Sequence, residues 1–123
     1  MSQSELYEKG AALRAQVVGT PLPPAGADVF SRTIDQYVTE NCWGELWSRP
    51  GIDPKLRVLL NLSMLAATLQ SAELTENLHA AVTQGVSKEE ILEIFLQVAM
   101  YCGAPTAVEA FKCARTVFAE RGL

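Results

Sequence analysis

Positive charge is scarce in this chain: 10 lysines and arginines stand against 14 aspartates and glutamates, for a net charge of −4. That balance leaves out the cationic footprint a phosphate backbone requires, so no nucleic-acid partner is expected. Cysteine is sparse as well. Cys42, Cys102 and Cys113 form no C-x-x-C pair and leave one sulfur over in any disulfide scheme, a pattern of reduced thiols. No uninterrupted apolar run reaches the roughly 18 residues that cross a bilayer. The N-terminal MSQSELYEKGAALRAQ carries charges throughout and lacks the apolar h-region of a signal peptide, so a cytoplasmic protein with no membrane segment is expected. Period-two alternation is missing over any useful length, which excludes a sheet protein.

What is present is helical periodicity. The 123 residues are enough for one ordinary domain. Residues 4–18 read as a helical arm with an incomplete apolar stripe, and GTPLPPAGAD (19–28), with three prolines, must be a loop. The expected division is therefore an N-terminal arm and loop, 1–27, and a main body, 28–123. From Asp28 to about Ser48, apolar residues recur at three and four, with Pro50 and Gly51 ending the run. Asp53-Pro54 is a helix start, since proline at the first helical position forfeits no hydrogen bond. LRVLLNLSMLAATLQ follows and is apolar almost all round. A helix over 71–84 ends at Gly85, and Ser87 with Glu90 forms a capping box opening ILEIFLQVAMYCG, again apolar on nearly every face. A last helix starts at Ala104 or Pro105. The fold class is all-α with about six helices, and two helices without a polar face imply that subunits bury them against one another as a homo-oligomer.

The densest chemistry is in ENCWGELWSRPG (40–51). On a helix, Cys42, Glu45 and Arg49 fall near one face and Trp43 and Trp47 pair on the next. An acid, a cation and a thiol beside an aromatic wall suit a small carboxylated substrate, because a guanidinium grips a carboxylate by two parallel bonds. The same spacing also describes two core tryptophans and a surface ion pair. His79, with Glu76 three residues earlier, gives E-x-x-H once; di-iron bundles need it twice with further glutamates, so no metal site is expected.

WGELWSRPGID, Arg57 with VLLNLSML after it, EL-x-x-N-L-H-AAV-x-x-G, and ILEIFLQVAMYCGAPTAVEAF together resemble the carboxymuconolactone decarboxylase family, in the superfamily of alkylhydroperoxidase D-like helical proteins. The resemblance runs from about Asp28 to Phe118. It implies a six-helix subunit in a trimer or hexamer, sites walled by neighbouring chains, no cofactor, and decarboxylation of a small carboxylated lactone from aromatic compound degradation. That chemistry needs groups that hold substrate carboxylates, donors where charge develops, and an acid returning a proton to carbon.

One position departs from the pattern. The decarboxylase branch has E-L-x-x-H, and counting from Glu73-Leu74 the histidine position is Asn77 here. His79, two residues on, points roughly 200° away. An asparagine donates to an oxyanion but moves no proton at neutral pH. Cys42 is the second departure, where alanine is more usual. The redox branch's C-x-x-C-x-x-x-H would place sulfurs at Ala72 and Thr75, and both are absent. The candidate catalytic residues are thus Glu45, Asn77 and Cys42, and the candidate substrate-binding residues Trp43, Trp47, Arg49, Tyr101 and His79. A non-catalytic binding or assembly member of the family, and a thiol peroxidase using Cys42, are the alternatives.

Overall fold

The chain is all-helical in a computed structural model that describes residues 2–123. Among the described residues there are six α-helices, one π-helical segment and no strand. Two compact units divide between Asp53 and Pro54, so the expected boundary at 27/28 falls inside the first unit.

The first unit begins with α1 (Gln3–Val18). Its start is set by a capping box: the Ser2 hydroxyl accepts from the Glu5 amide at 3.2 Å while the Glu5 carboxylate accepts from the Ser2 amide at 3.2 Å. Gly19 ends it in the left-handed region, φ 90°. The buried Arg14 donates to the carbonyls of Thr20 and Pro21, tying the proline-rich loop back to the helix. Asp28 caps α2 (Val29–Val38) by accepting from the Ser31 amide at 2.9 Å. The Tyr7 hydroxyl donates to Asp35 at 2.6 Å and joins α1 to α2.

The run expected as one helix from Asp28 to Ser48 changes register at its middle. From Thr39 to Leu46 the chain is π-helical, and the Trp47 amide reaches back five residues to the Cys42 carbonyl at 2.9 Å. The cause lies across the unit, where α1 packs on this segment. A Cβ on Gly10 would stand 1.9 Å from the Thr39 carbonyl oxygen, and one on Gly44 would stand 2.7 Å from that of Leu6. Two glycines let the backbones meet at a distance no side chain permits. The apolar stripe of α2, by contrast, is solvent-facing: Phe30 is 82% exposed, and Val29, Ile34 and Tyr37 are exposed too.

The second unit holds α3 (Pro54–Ala67), α4 (Ser71–Thr83), α5 (Lys88–Cys102) and α6 (Ala104–Glu120). α3 packs on the other three helices, and α6 on both α4 and α5. Val58, Leu62, Leu74, Leu78, Phe95 and Val117 are buried among them, and Phe95 meets Phe111 edge-on at 5.8 Å. The expected box at Ser87 and Glu90 opens α5, and Gly85 takes φ 78° beyond α4. Each of the two helices that read as apolar all round buries one face only. Leu60 and Met64 on α3, and Leu96 and Met100 on α5, face solvent in the single chain.

Candidate active site

In the first unit the π-helical segment and the turn that follows it carry the aromatic and charged block. Trp43 and Trp47 stack with centroids 4.6 Å apart and planes 27° from parallel, an offset-stack geometry that favours ring contact. Trp47 is buried and Trp43 and Cys42 are half-buried, whereas Glu45 and Arg49 are exposed. The Ser48 hydroxyl donates to the Gly44 carbonyl at 2.7 Å, satisfying an acceptor the ending helix leaves open. Thr39 and Glu40, at the head of the segment, are both buried. A buried carboxylate one turn before the WGELW block is a chemical group that sequence reasoning passed over, although Glu40 stands first in the quoted stretch.

In the second unit Asn77 is on α4 and is fixed by two hydrogen bonds. Its amide nitrogen donates to the Glu73 carbonyl one turn back, at 3.0 Å. Its amide oxygen accepts from the Asn61 side chain on α3, also at 3.0 Å. The first bond orients the second, since only the nitrogen end can donate to a backbone carbonyl and the oxygen must then face Asn61. Asn61 is the partner that sequence reading missed. Its signal was present as the one amide in the apolar run VLLNLSML, with Arg57 one turn earlier on the same side of α3.

His79 leaves α4 on another side: its Nε2 lies 3.5 Å from a Glu120 carboxylate oxygen at the end of α6. Asn77 therefore pairs toward α3 and His79 toward α6, as the angle between them requires. Tyr101 is 83% exposed and lines a groove of about 440 Å³ between α3 and α5, with Ser63, Gln97 and Cys102 as its other polar groups. Cys102 is exposed and Cys113 buried, its thiol 3.9 Å from the Ser71 carbonyl oxygen. Within the first unit, then, Trp43 and Trp47 are in contact. Within the second, Asn77, His79 and Tyr101 occupy three separate surroundings. Among the described residues no group of three or more histidine, cysteine or carboxylate side chains is arranged to hold a metal ion, and no helix is long and apolar enough to cross a membrane.

Chemically, the amide pair is a set of neutral donors held in a fixed orientation. Such donors stabilise charge that develops on an oxygen, and they do so without reorganising at the moment of reaction. They carry no titratable proton.

A model of the carboxymuconolactone decarboxylase family matches residues 33–116. The 4-carboxymuconolactone decarboxylase of Acinetobacter baylyi is 29% identical over 126 aligned residues, spanning 100% of this chain and 94% of its own length. The nitrosuccinic acid decarboxylase of Metarhizium robertsii is 35% identical over 108 residues, 85% of this chain and 76% of its own.

Proposed function

The chain belongs to the carboxymuconolactone decarboxylase family, and from that premise we propose that it is a decarboxylase of a small carboxylated substrate that carries its own electron sink. The observation behind this reading is the Asn61–Asn77 pair: Asn77, an uncharged donor held by Asn61 from α3, stands at the helix position where the decarboxylase pattern has histidine.

Decarboxylation breaks a carbon–carbon bond and leaves its electron pair on the substrate. In 4-carboxymuconolactone the departing carboxylate is on a ring carbon conjugated, through the ring double bond, to the lactone carbonyl, so the pair spreads into a dienolate. In nitrosuccinic acid one carboxylate is on the carbon that bears the nitro group, and the pair moves into a nitronate. Both substrates named by the relatives supply the sink themselves, and a protein acting on either needs no cofactor. It must orient the acid, stabilise the oxygen where charge collects, and keep the scissile bond aligned with the π system.

The residues divide accordingly. Asn77, held by Asn61, stabilises the acceptor oxygen. Arg49 binds a substrate carboxylate, Glu45 is the acid or base of the block, and the Trp43–Trp47 stack is an apolar wall. The working form is a homo-oligomer, a trimer or hexamer, and the solvent-facing Leu60, Met64, Leu96 and Met100 support that assembly.

The test is CO2 release by the purified protein from a panel of small acids with a built-in acceptor: the carboxylated lactone, a nitro dicarboxylate and a β-keto acid, each against a buffer blank. Release above blank from at least one is expected. Silence across the panel at high protein concentration would remove the enzymatic reading in favour of a binding member of the family.

A further inference from the structure

We infer that the groove between the start of α5 and the second half of α6 binds a small monocarboxylic acid with an apolar, ring-bearing body. The groove lies within the second unit, away from the Asn61–Asn77 pair, and the inference stands independently of the decarboxylase reading.

The first observation is shape. The groove has a volume of about 570 Å³, inside the range of clefts that take small molecules. Ile91 and Leu92 line its α5 side, and Phe111, Ala114, Phe118 and Ala119 its α6 side. Ala114 comes three residues after Phe111 and four before Phe118, so all three share one face of α6. Its methyl group leaves open, between the two rings, the space a longer side chain would fill. Both rings are half-buried, and of the lining residues only Leu92 and Leu123 are large apolar side chains in the open. Two such side chains fall far short of the roughly 800 Å² that one partner brings to a stable protein interface. The apolar surface here is a cleft between helices, unlike the outward stripe of α2.

The second observation is charge. Lys88 and Arg115 both line the groove. The Lys88 ammonium stands 5.1 Å from the centroid of the Phe118 ring, a cation–π contact that holds it beside the apolar floor. Arg115 is four residues after Phe111 and three before Phe118, on the same face of α6. Among the described residues no carboxylate pairs with either cation, although the chain has 14 acids for 10 lysines and arginines. Glu89 is the one acid lining the groove among the described residues, which leaves one net positive charge. That balance favours a single carboxylate and disfavours a dianion.

Shape and charge together define the ligand. A flat apolar body fills the space between Phe111 and Phe118 and displaces water from both rings. Its carboxylate meets Lys88 and Arg115 by charge-assisted hydrogen bonds. A wholly apolar ligand would desolvate the two cations without giving them a partner, and a small hydrophilic acid would leave the rings wet.

The experiment uses the full chain with two probes of one shape, 2-naphthoate and its uncharged amide 2-naphthamide, in equilibrium dialysis read by naphthalene fluorescence. Saturable binding of naphthoate with a Kd of about 1 mM or below is expected, the affinity a ligand of this size reaches at ordinary efficiency. The amide should bind about fivefold more weakly. That preference should shrink as salt rises, because both cations are exposed. Lys88→Gln and Arg115→Gln should each weaken naphthoate by about three- to fivefold and leave the amide unchanged, whereas Glu89→Gln should strengthen naphthoate. Ala119→Trp, at an exposed position, puts an indole into the groove and should abolish binding of both probes. Equal affinity for acid and amide overturns the assignment of an acid. Naphthoate binding that survives Ala119→Trp overturns the site. Absence of saturable binding overturns the proposal as a whole, and a smaller assembly of Ala119→Trp in sedimentation velocity would then make the groove a contact between copies of the chain. The comparison of acid with amide needs only the native protein, so the proposal stays open to refutation if the tryptophan variant does not fold.

Discussion

Gly10→Ala is the perturbation whose consequence the geometry defines most sharply. A β-carbon at this position would stand 1.9 Å from the Thr39 carbonyl oxygen and 2.9 Å from the Gly44 nitrogen. Ordinary contact begins near 3.4 Å, so α1 and the π-helical segment would have to separate by about 1.5 Å, and both colliding groups are backbone that cannot rotate aside. Overpacking of this kind costs about 3 kcal/mol at the upper end of its usual range. Alanine returns about 1 kcal/mol of helix propensity. The net loss is about 2 kcal/mol, or about 8 °C in melting temperature for a chain of this size. The assay is thermal unfolding by circular dichroism with tryptophan emission in parallel. Of the two tryptophans of the chain, Trp43 lies in the displaced segment and Trp47 directly follows it and stacks on Trp43, so their emission should shift even well below the transition. Gly51→Ala is the control, because nothing lies within 4 Å of its added carbon and its φ is not positive. A Gly10→Ala protein that melts within about 2 °C of the parent with unchanged emission would refute the close approach as the origin of the π register.

Further predictions concern charge, thiols and the altered site. Hydrogen bonds from the Ser31 and Ser87 amides hold the carboxyls of Asp28 and Glu90 below their ordinary values. Their contributions are therefore present above the unfolded carboxylate range and are lost as pH falls through the folded values, and an Asp28→Ala, Glu90→Ala double variant should lose less stability than the parent between about pH 5 and pH 3 in acid titrations followed by circular dichroism. The Tyr7 hydroxyl is pushed above its ordinary value by its hydrogen bond to Asp35. That stabilisation is complete below about pH 10 and is lost as pH rises through the raised value, so Tyr7→Phe should flatten the alkaline limb of the stability curve. With a thiol-reactive chromophore, exposed Cys102 should react first, half-buried Cys42 more slowly, and buried Cys113 only on unfolding. Removal of the fast phase by Cys102→Ser checks the order. Asn77→His adds a titratable group where the amide pair now stands, and should raise turnover of the carboxylated lactone relative to nitrosuccinate, measured as the ratio of the two kcat/KM values.

How much of this was legible in the chain depends on how local its cause is. The box at Ser87 and Glu90, the start at Pro54 and the stop at Pro50-Gly51 are decided within four residues and could be read directly. The π register could not. Over the eight residues from Thr39 to Leu46 an apolar spacing of three and four fits either helix, and the choice is made by Gly10, some thirty positions away. The α2 stripe of Phe30, Ile34 and Tyr37 announced a helix but not that its apolar side would face solvent, because periodicity reports a face and not what covers it. At the candidate site, Asn77 was visible only against a family pattern. Asn61 was visible only as a polar interruption of an apolar run, and its meaning required knowing that α3 and α4 bring the two amides to 3.0 Å. The separate surroundings of Asn77 and His79, by contrast, followed from counting two residues along a helix.

The central claim, that this protein removes CO2 from an acid carrying its own electron sink, is tested most directly with nitrosuccinate labelled with carbon-13 in the carboxylate beside the nitro group. Labelled CO2 released above the buffer blank, in proportion to the concentration of the purified native chain, is the predicted result. Release no faster than the blank at every protein concentration, with the carboxylated lactone equally inert, would contradict the account.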